Sequence, residues 1–508
     1  MGEFIKELES GEIQLRDKWQ LELKSEFFQQ PDVEKNTYTQ EFFIFVPNSL
    51  NINKQTYTKD NFYQDQTNFI RFKTPVFSLD EINDNQNKQS PIFKILELSR
   101  ESNCDESQHE IQDELKLLGN VVRSSLRRRV LLLIKIIKSD NFEQHHPHFH
   151  KEVELLNEQL ACFRANYHKI RKAFFEKGQD CSLVIKQHIL HVDEFISTYI
   201  DYFLSGLLKE LRTRINDRDC ESDNLLCTII IAEAKHRSSL AVEPNHTEDD
   251  PEKNEFIFYR AGLLKKFVLD ALLLNTSRSS PANRLNNVIG SFAAGIAMLV
   301  YFVLFIWQGT VFLINSEPFV LTTVVLYILK DRLKESLKTI SYRVAFRWFS
   351  DFTTKIKSPD ETRFLGKLKE SFSFLSPEQL PKEIIETRNK EFHNILEDFQ
   401  RPERVMYYKK NIQLKKRSRI SKSRRYDLNM IFRFNIHRFI RKADNAYQNY
   451  LKLNPSTMDF TNFRLPKVYH VNIIMKNTYV DENGAKKSEL KKFRLILDKN
   501  GIKRLENV

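Results

Sequence analysis

Glycine and cysteine are scarce in this chain, and basic residues vanish over one long interval. Only 12 of the 508 residues are Gly, which argues against the Gly-rich loops that cradle phosphates. No Walker A, G-x-S-x-G, H-E-x-x-H or kinase-like set occurs either. No nucleophile is nominated, so neither a catalytic residue nor a cofactor is expected. The five cysteines (Cys104, Cys162, Cys181, Cys220 and Cys227) are odd in number and contain no C-x-x-C pair. That argues against a disulfide framework or a structural zinc site, and leaves reduced, buried thiols as the expectation. The opening "MGEFIKELESGEIQL" has no apolar core of the kind a secretory signal needs. Gly2 is followed at position 6 by Lys where N-acylation asks for Ser or Thr. From Val288 to Leu329 there is no Lys or Arg, and the one charge is Glu317.

What is abundant sets the class. Hydrophobic residues make up 41% of the chain, with 40 Phe, which is enough for several cores and too many for a disordered chain. At this length about three domains are expected. Charge is unevenly divided. Residues 330–508 hold 41 Lys+Arg against 21 Asp+Glu, net +20, whereas residues 1–329 hold 38 against 46, net −8. Such asymmetry points to an anionic partner or surface.

The interval without basic residues is 42 residues long, roughly 63 Å as helix, where one pass through hydrocarbon takes about 20 residues. "FLINSEPFVL" (312–321) interrupts it with Asn315, Ser316, Glu317 and Pro318. The expectation is a transmembrane hairpin, with a first helix at 288–309 and a second at 312–331. Trp307 and Gln308 suit an interface, Gly309 a turn, and Pro318 a first helical turn. Arg278 and Arg284 precede the hairpin; Lys330, Arg332, Lys334 and Lys338 follow it. The positive-inside rule then places both termini in the cytoplasm and the hairpin in the inner membrane. A buried helical hairpin of a soluble protein is the competing reading, but "GSFAAGIAMLVYFVLFIW" (290–307) lacks the polar stripe such helices carry. Gly290, Ser291, Ala293, Ala294, Gly295 and Ala297 would allow the passes to approach closely, or copies to associate.

The rest divides by pattern. Residues 1–100 read as strand-rich, through "WQLELKSEFF", "YTQEFFIFVP" and "TNFIRFKTPVF". Residues 105–280 read as a cytoplasmic helical domain. In it Val153, Leu156, Leu160, Phe163, Tyr167, Ile170 and Phe174 recur at steps of three and four and stop at Gly178. That stripe fits a coiled coil or, with Ile196, Tyr199, Phe203, Leu207 and Leu211 opposite, a bundle. Residues 332–400 read as a cytoplasmic helical extension and 401–508 as a basic β-containing domain. In the latter, "KVYHVNIIMKN" and "LKKFRLILDKN", separated by "DENG" (481–484), form the best hairpin signal. The fold class expected is an α+β integral membrane protein: a two-helix transmembrane hairpin, a helical N-terminal cytoplasmic region, and β-containing segments at both ends that could join in one unit.

Candidate sites are fewer. "HHPHFH" sets His145, His146, His148 and His150 beside Glu143 and Glu152, a density that can bind zinc or nickel. Around Pro147, just ahead of a helix, it also reads as a solvated loop. His188, His191 and Glu194 in "HILHVDE" share a helix face. The strongest local signal is basic, because residues 404–442 hold 14 Lys+Arg and one acid, Asp427. The anion-contacting candidates are Lys409, Lys410, Lys415, Lys416, Arg417, Arg419, Lys422, Arg424 and Arg425. They suit anionic inner-leaflet lipid. The aromatics interleaved in "NMIFRFNIHRFIRK" (429–442) suit nucleic acid as well. The run equally fits a solvated surface that docks on the acidic N-terminal part.

"AAGIAM" (293–298), "YILKDRLKES" (327–336), "RPERV" (401–405), "VYHVNII" (468–474) and "NGIKRLE" (500–506) together resemble a pattern in uncharacterised bacterial two-pass membrane proteins. The matches span the C-terminal half and include no catalytic motif, so the resemblance implies a topology and no activity. Usage rich in Asn, Lys and Ile and poor in Ala points to an AT-rich bacterial genome. The expected function is a membrane-tethered cytoplasmic interaction or sensory scaffold. Its partners would be the lipid bilayer, anionic lipid, and another protein or a second copy. The alternatives are a metal-dependent membrane-bound enzyme using the His-rich segments and a membrane-anchored nucleic-acid-binding protein.

Overall fold

The computed structural model describes residues 13–30, 33–100, 108–140, 142–176, 182–215, 221–240, 251–313, 316–348, 350–359, 363–390, 403–416, 424–480 and 484–507. Strands β1 (Ile13–Leu15), β2 (Gln20–Phe27) and β3 (Lys35–Pro47) come first, then α1 (Lys59–Asp65), β4 (Gln66–Phe72), α2 (Leu79–Asn83) and α3 (Pro91–Leu98). A run of helices follows: α4 (Gln108–Ile137), α5 (Phe142–Phe175), α6 (Leu183–Arg214), α7 (Glu221–Ser239) and α8 (Pro251–Leu269). β5 (Asn275–Ser279) leads into α9 (Ala282–Val311) and α10 (Glu317–Trp348), after which β6 (Phe352–Lys357) and β7 (Phe364–Leu375) return to strand. The chain ends with α11 (Lys382–Asn389), β8 (Glu403–Lys415), β9 (Leu428–Asn435), α12 (His437–Ile440), β10 (Tyr447–Leu453), β11 (Phe460–Pro466), β12 (Tyr469–Val480), β13 (Lys486–Asp498) and β14 (Gly501–Asn507).

Strands from both ends of the chain share one eight-stranded antiparallel sheet, in the order β14-β13-β12-β3-β8-β7-β6-β5. β3 lies inside it, with Ile44 opposite both Ile473 and Met406. Its run Phe42–Val46 is buried continuously because both faces are covered. Phe42, Ile44 and Val46 meet a second sheet, while Phe43 and Phe45 pack with Ile384 of α11 and with Val405 and Ile474. The second sheet, β1-β2-β9-β4, supplies Leu21, Leu23, Phe432 and Phe434 to the shared core. Rings interlock there: Phe62 stacks on Phe372 at 4.1 Å and Phe42 on Phe432 at 5.1 Å. Gly366 lets β7 run close to β8, since a Cβ there would sit 2.4 Å from the Gln413 carbonyl oxygen.

The helical stripe of α5 is wholly interior. Val153, Leu156, Leu160, Phe163, Tyr167, Ile170 and Phe174 share a core with Ile196, Phe203, Leu207 and Leu211 of α6 and Val121 and Leu126 of α4. The stripe therefore serves a bundle within one chain. The same core takes in Phe27, Phe72, Leu414 and Leu428, so the bundle rests directly on the sheets.

The expected two-helix transmembrane hairpin is corrected by this architecture. The chain is a mixed helix-and-sheet fold with large sheets, and among the described residues one helix, Asn287–Val311, is long and apolar enough to cross a membrane. α10 fails because it starts only at Glu317, and its first 18 residues already hold Lys330, Asp331, Arg332 and Lys334. The expected second helix, 312–331, counted Phe312 and Leu313, which lie between α9 and α10, as part of its span. The two-pass placement in an inner membrane loses its ground with it. The helical extension over 332–400 is also corrected, since α10 ends at Trp348 and β6 and β7 follow.

Candidate functional site

α9 shows a non-polar surface that the fold leaves open. Its span Asn287–Val311 covers 25 residues, and an 18-residue stretch within it has a mean hydropathy of 2.3 and is only 11% buried. What it buries is a narrow stripe, Ala293, Ala297 and Gln308. Small side chains there allow contact with α10, and the Gln308 amide donates to the Phe319 carbonyl at 2.6 Å and to Thr323 Oγ1 at 3.0 Å. Phe292, Leu299, Phe302, Val303 and Ile306 point outward. Of the small residues noted in the sequence, Ala293 and Ala297 make the helix contact, whereas Ser291 and Gly295 line a shallow groove on the outer side.

The basic candidates scatter to different tasks. Lys409 lies 3.6 Å from the Glu41 carboxylate on the neighbouring strand. Arg424 donates to Glu114 and to the Gln89 carbonyl. Arg425 donates to Asp113 at 2.5 Å and to the Ala271 carbonyl. Arg424 and Arg425 therefore tie the sheets to α4, and Lys410 is fully buried, so these three are withdrawn from any external anion. Arg417, Arg419 and Lys422 lie outside the described residues. Lys415 and Lys416 remain exposed. Phe432, Phe434 and Phe439 are core residues, so the interleaved aromatics offer no platform on which bases could stack.

Lys415 and Lys416 edge a cleft of about 660 Å³ between α4 and the end of the large sheet. His109, Glu110 and Asp113 come from α4; Arg363, Phe364 and Arg425 come from the sheet side. The Lys415 ammonium stands 5.1 Å from the Phe364 ring centre, and its carbonyl accepts from the Gln29 amide at 2.6 Å. A smaller cavity of about 290 Å³ shares His109, Asp113 and Pro359 with it. His109 and Arg363 were not singled out in the sequence. They stand about 250 positions apart in the chain, and no local pattern links them.

Polar residues also sit between the two sheets. Glu370 accepts from Asn68 at 2.8 Å, from Gln66 at 3.2 Å and from Tyr408 Oη at 2.5 Å. Asp351 accepts from Tyr63 Oη at 2.9 Å and from the Phe372 amide at 2.7 Å. Lys410 lies in register with Glu370 on one side and Gln40 on the other. Its ammonium faces the rings of Phe432, Phe42 and Tyr408 at 4.1, 5.0 and 5.3 Å and finds no hydrogen-bond partner among the described residues. Burial pulls its pKa down to about 7, against the opposing pull of Glu370.

Among the described residues the histidines assemble no metal site, and no three His, Cys, Asp or Glu side chains converge to hold a metal. The His-rich stretch is not a loop before a helix: α5 begins at Phe142 and carries Pro147 inside it. His150 contacts Ser222 Oγ at 2.9 Å, His146 packs its ring against Phe142, and the His145 side chain lies outside the described residues. His188 and His191 lie edge-on to Phe267, and burial lowers the pKa of both. Glu194 is taken by Arg260 at 2.5 and 2.7 Å. The charge cluster that the sequence did not disclose is Arg164, whose guanidinium bridges Asp193 and Glu233 inside the bundle. Cys162 and Cys227 are free thiols, Cys162 exposed. Cys104, Cys181 and Cys220 lie outside the described residues.

No family model matches the chain, and no curated protein or solved structure matches it either.

Proposed function

We propose that the chain is a membrane-tethered scaffold, held at a lipid surface by α9 and presenting its bundle and sheets to partners. The observation that carries this reading is the outward surface of α9, where an 18-residue apolar stretch of the 25-residue span is only 11% buried. In water that surface would be an aggregation hazard, whereas in hydrocarbon it is solvated by the lipid chains. β5 before α9 and β6 after α10 are paired strands, with Asn275 opposite Lys357. Both flanks of the helical excursion therefore belong to one sheet. Lys415 and Lys416 at the cleft supply contact to anionic lipid or an acidic protein.

The test is extraction of membranes from cells expressing the full chain. The wild type is expected in the pellet after an alkaline carbonate wash and in solution only after detergent. Val303→Arg with Ile306→Arg, both on the outward surface, should shift it to the wash. Recovery of the wild type from a detergent-free supernatant would end the reading.

A further inference from the structure

We propose that the β10–β11 hairpin is an insertion arm for an anionic lipid surface. The two strands form a sheet of their own, and every residue of both is exposed. An isolated two-stranded sheet is marginal in water, so one with this composition calls for a covering medium.

The apolar side chains lie on both faces and gather toward the tip. Leu453 opposes Phe460 on one face, and Tyr450 opposes Phe463 on the other. Met458 and Phe460 are 73% and 72% exposed. The tip is a built turn: the Asn454 amide donates to the Asp459 carbonyl and the Met458 amide to the Asn454 carbonyl, each at 2.9 Å. Met458 is held at φ +56°, a conformation an unbranched apolar side chain rarely adopts, in the turn that joins the two strands.

The base of the arm is basic. Lys467 pairs with Asp444, Lys499 reaches Asn445 at 3.4 Å, and Arg464 and Lys503 lie over the Tyr447 ring at 4.2 and 5.3 Å. Arg441 and Lys442, also exposed, precede this point. An apolar tip above a cationic collar complements an anionic bilayer, whose headgroups meet the collar while the acyl boundary takes the tip. A bilayer also covers both faces at once, which a partner seated on one face does not. The proposal stands apart from α9, because it concerns a different element and a different readout.

The full chain carrying a benzophenone amino acid in place of Phe460 is irradiated with vesicles of phosphatidylcholine, with and without phosphatidylserine. The expected result is a phospholipid adduct, several-fold more abundant with phosphatidylserine and reduced by salt. The same label at Ile231, exposed on α7, should give none. Met458→Asp should suppress the adduct with no change in circular dichroism, and Arg464→Glu with Lys467→Glu should erase the preference for phosphatidylserine. No adduct, equal yield on both lipids, or a cross-linked pair of chains overturns the proposal. Failure of carbonate resistance with the adduct intact would remove the α9 anchor and leave the arm.

Discussion

α5 and α9 are nearly equal in length, at 34 and 30 residues, and they dispose of apolar side chains in opposite ways. α5 keeps most of its large ones on one stripe and closes that stripe against α4 and α6, leaving Lys151, Glu154 and Glu158 in water. α9 closes only Ala293, Ala297 and Gln308 and turns Phe292, Leu299 and Ile306 outward. The two helices therefore present different surfaces, and the difference in periodicity is visible before any fold is known.

The largest expected effect tests that contrast directly. Phe163→Ala in α5 should cost about 3–5 kcal/mol of unfolding free energy, the usual range for an emptied aromatic site. Leu299→Ala on α9 should stay within about 0.5 kcal/mol, as outward substitutions do. Unfolding followed by circular dichroism in one detergent compares them. Similar losses would mean that α9 is covered by protein and would break the contrast.

Lys410 sharpens it from the sheet side, as a charge-bearing side chain placed where α5 places Phe. Below pH about 7 its ammonium is protonated in both folded and unfolded chain. Above that value the folded chain releases the proton while the unfolded chain keeps it, up to an ordinary lysine value near 10.4. Stability therefore rises with pH through this window, by up to about 1.4 kcal/mol per unit. Lys410→Met should remove that contribution and raise stability at pH 7 by about 1–3 kcal/mol, the scale of an unpaired buried polar group. Parallel pH profiles for the two proteins would show that the amine is solvated.

Arg425 ranks next. Arg425→Ala breaks its bonds to Asp113 and Ala271 across the sheet–bundle contact, with an expected loss of about 1–3 kcal/mol. Its double-mutant cycle with Asp113→Ala should show coupling; independent effects would assign the contact to packing alone.

How much of this was legible follows from range. β3 and the β12–β13 pair could be read because "EFFIFV" and "VNIIM" are rich in aromatic and β-branched residues within a few positions. The α5 stripe could be read because its period is local. β7 escaped, since "FLGKLKESFSFL" mixes Leu, Lys and Glu as a helix would, although Leu368, Glu370 and Phe372 alternate inward. The second membrane pass was overcounted because hydropathy does not show where a helix begins. The basic run misled most. In a strand every second residue faces inward, so Lys410 belongs to the core while Lys409 belongs to the surface. The acid that takes Arg425 lies 312 positions away, beyond any window.

The smallest effect on stability belongs to Lys415 and Lys416, and here a null result in one assay must accompany a large one in another. Both side chains are exposed at the cleft edge, so Lys415→Glu with Lys416→Glu should change unfolding free energy by no more than about 0.5 kcal/mol. If the cleft edge meets an anionic surface, each basic residue there contributes about 1 kcal/mol. Losing both should lower affinity for phosphatidylserine vesicles by roughly 30-fold, and reversal of charge should lower it further. Flotation of chain reconstituted in neutral nanodiscs against added anionic vesicles reads this directly, and added salt should compress the difference. Unchanged flotation would mean that these lysines, like Arg424 and Arg425, serve the fold, leaving the whole run from Lys409 to Arg425 without a described residue that answers to an external anion.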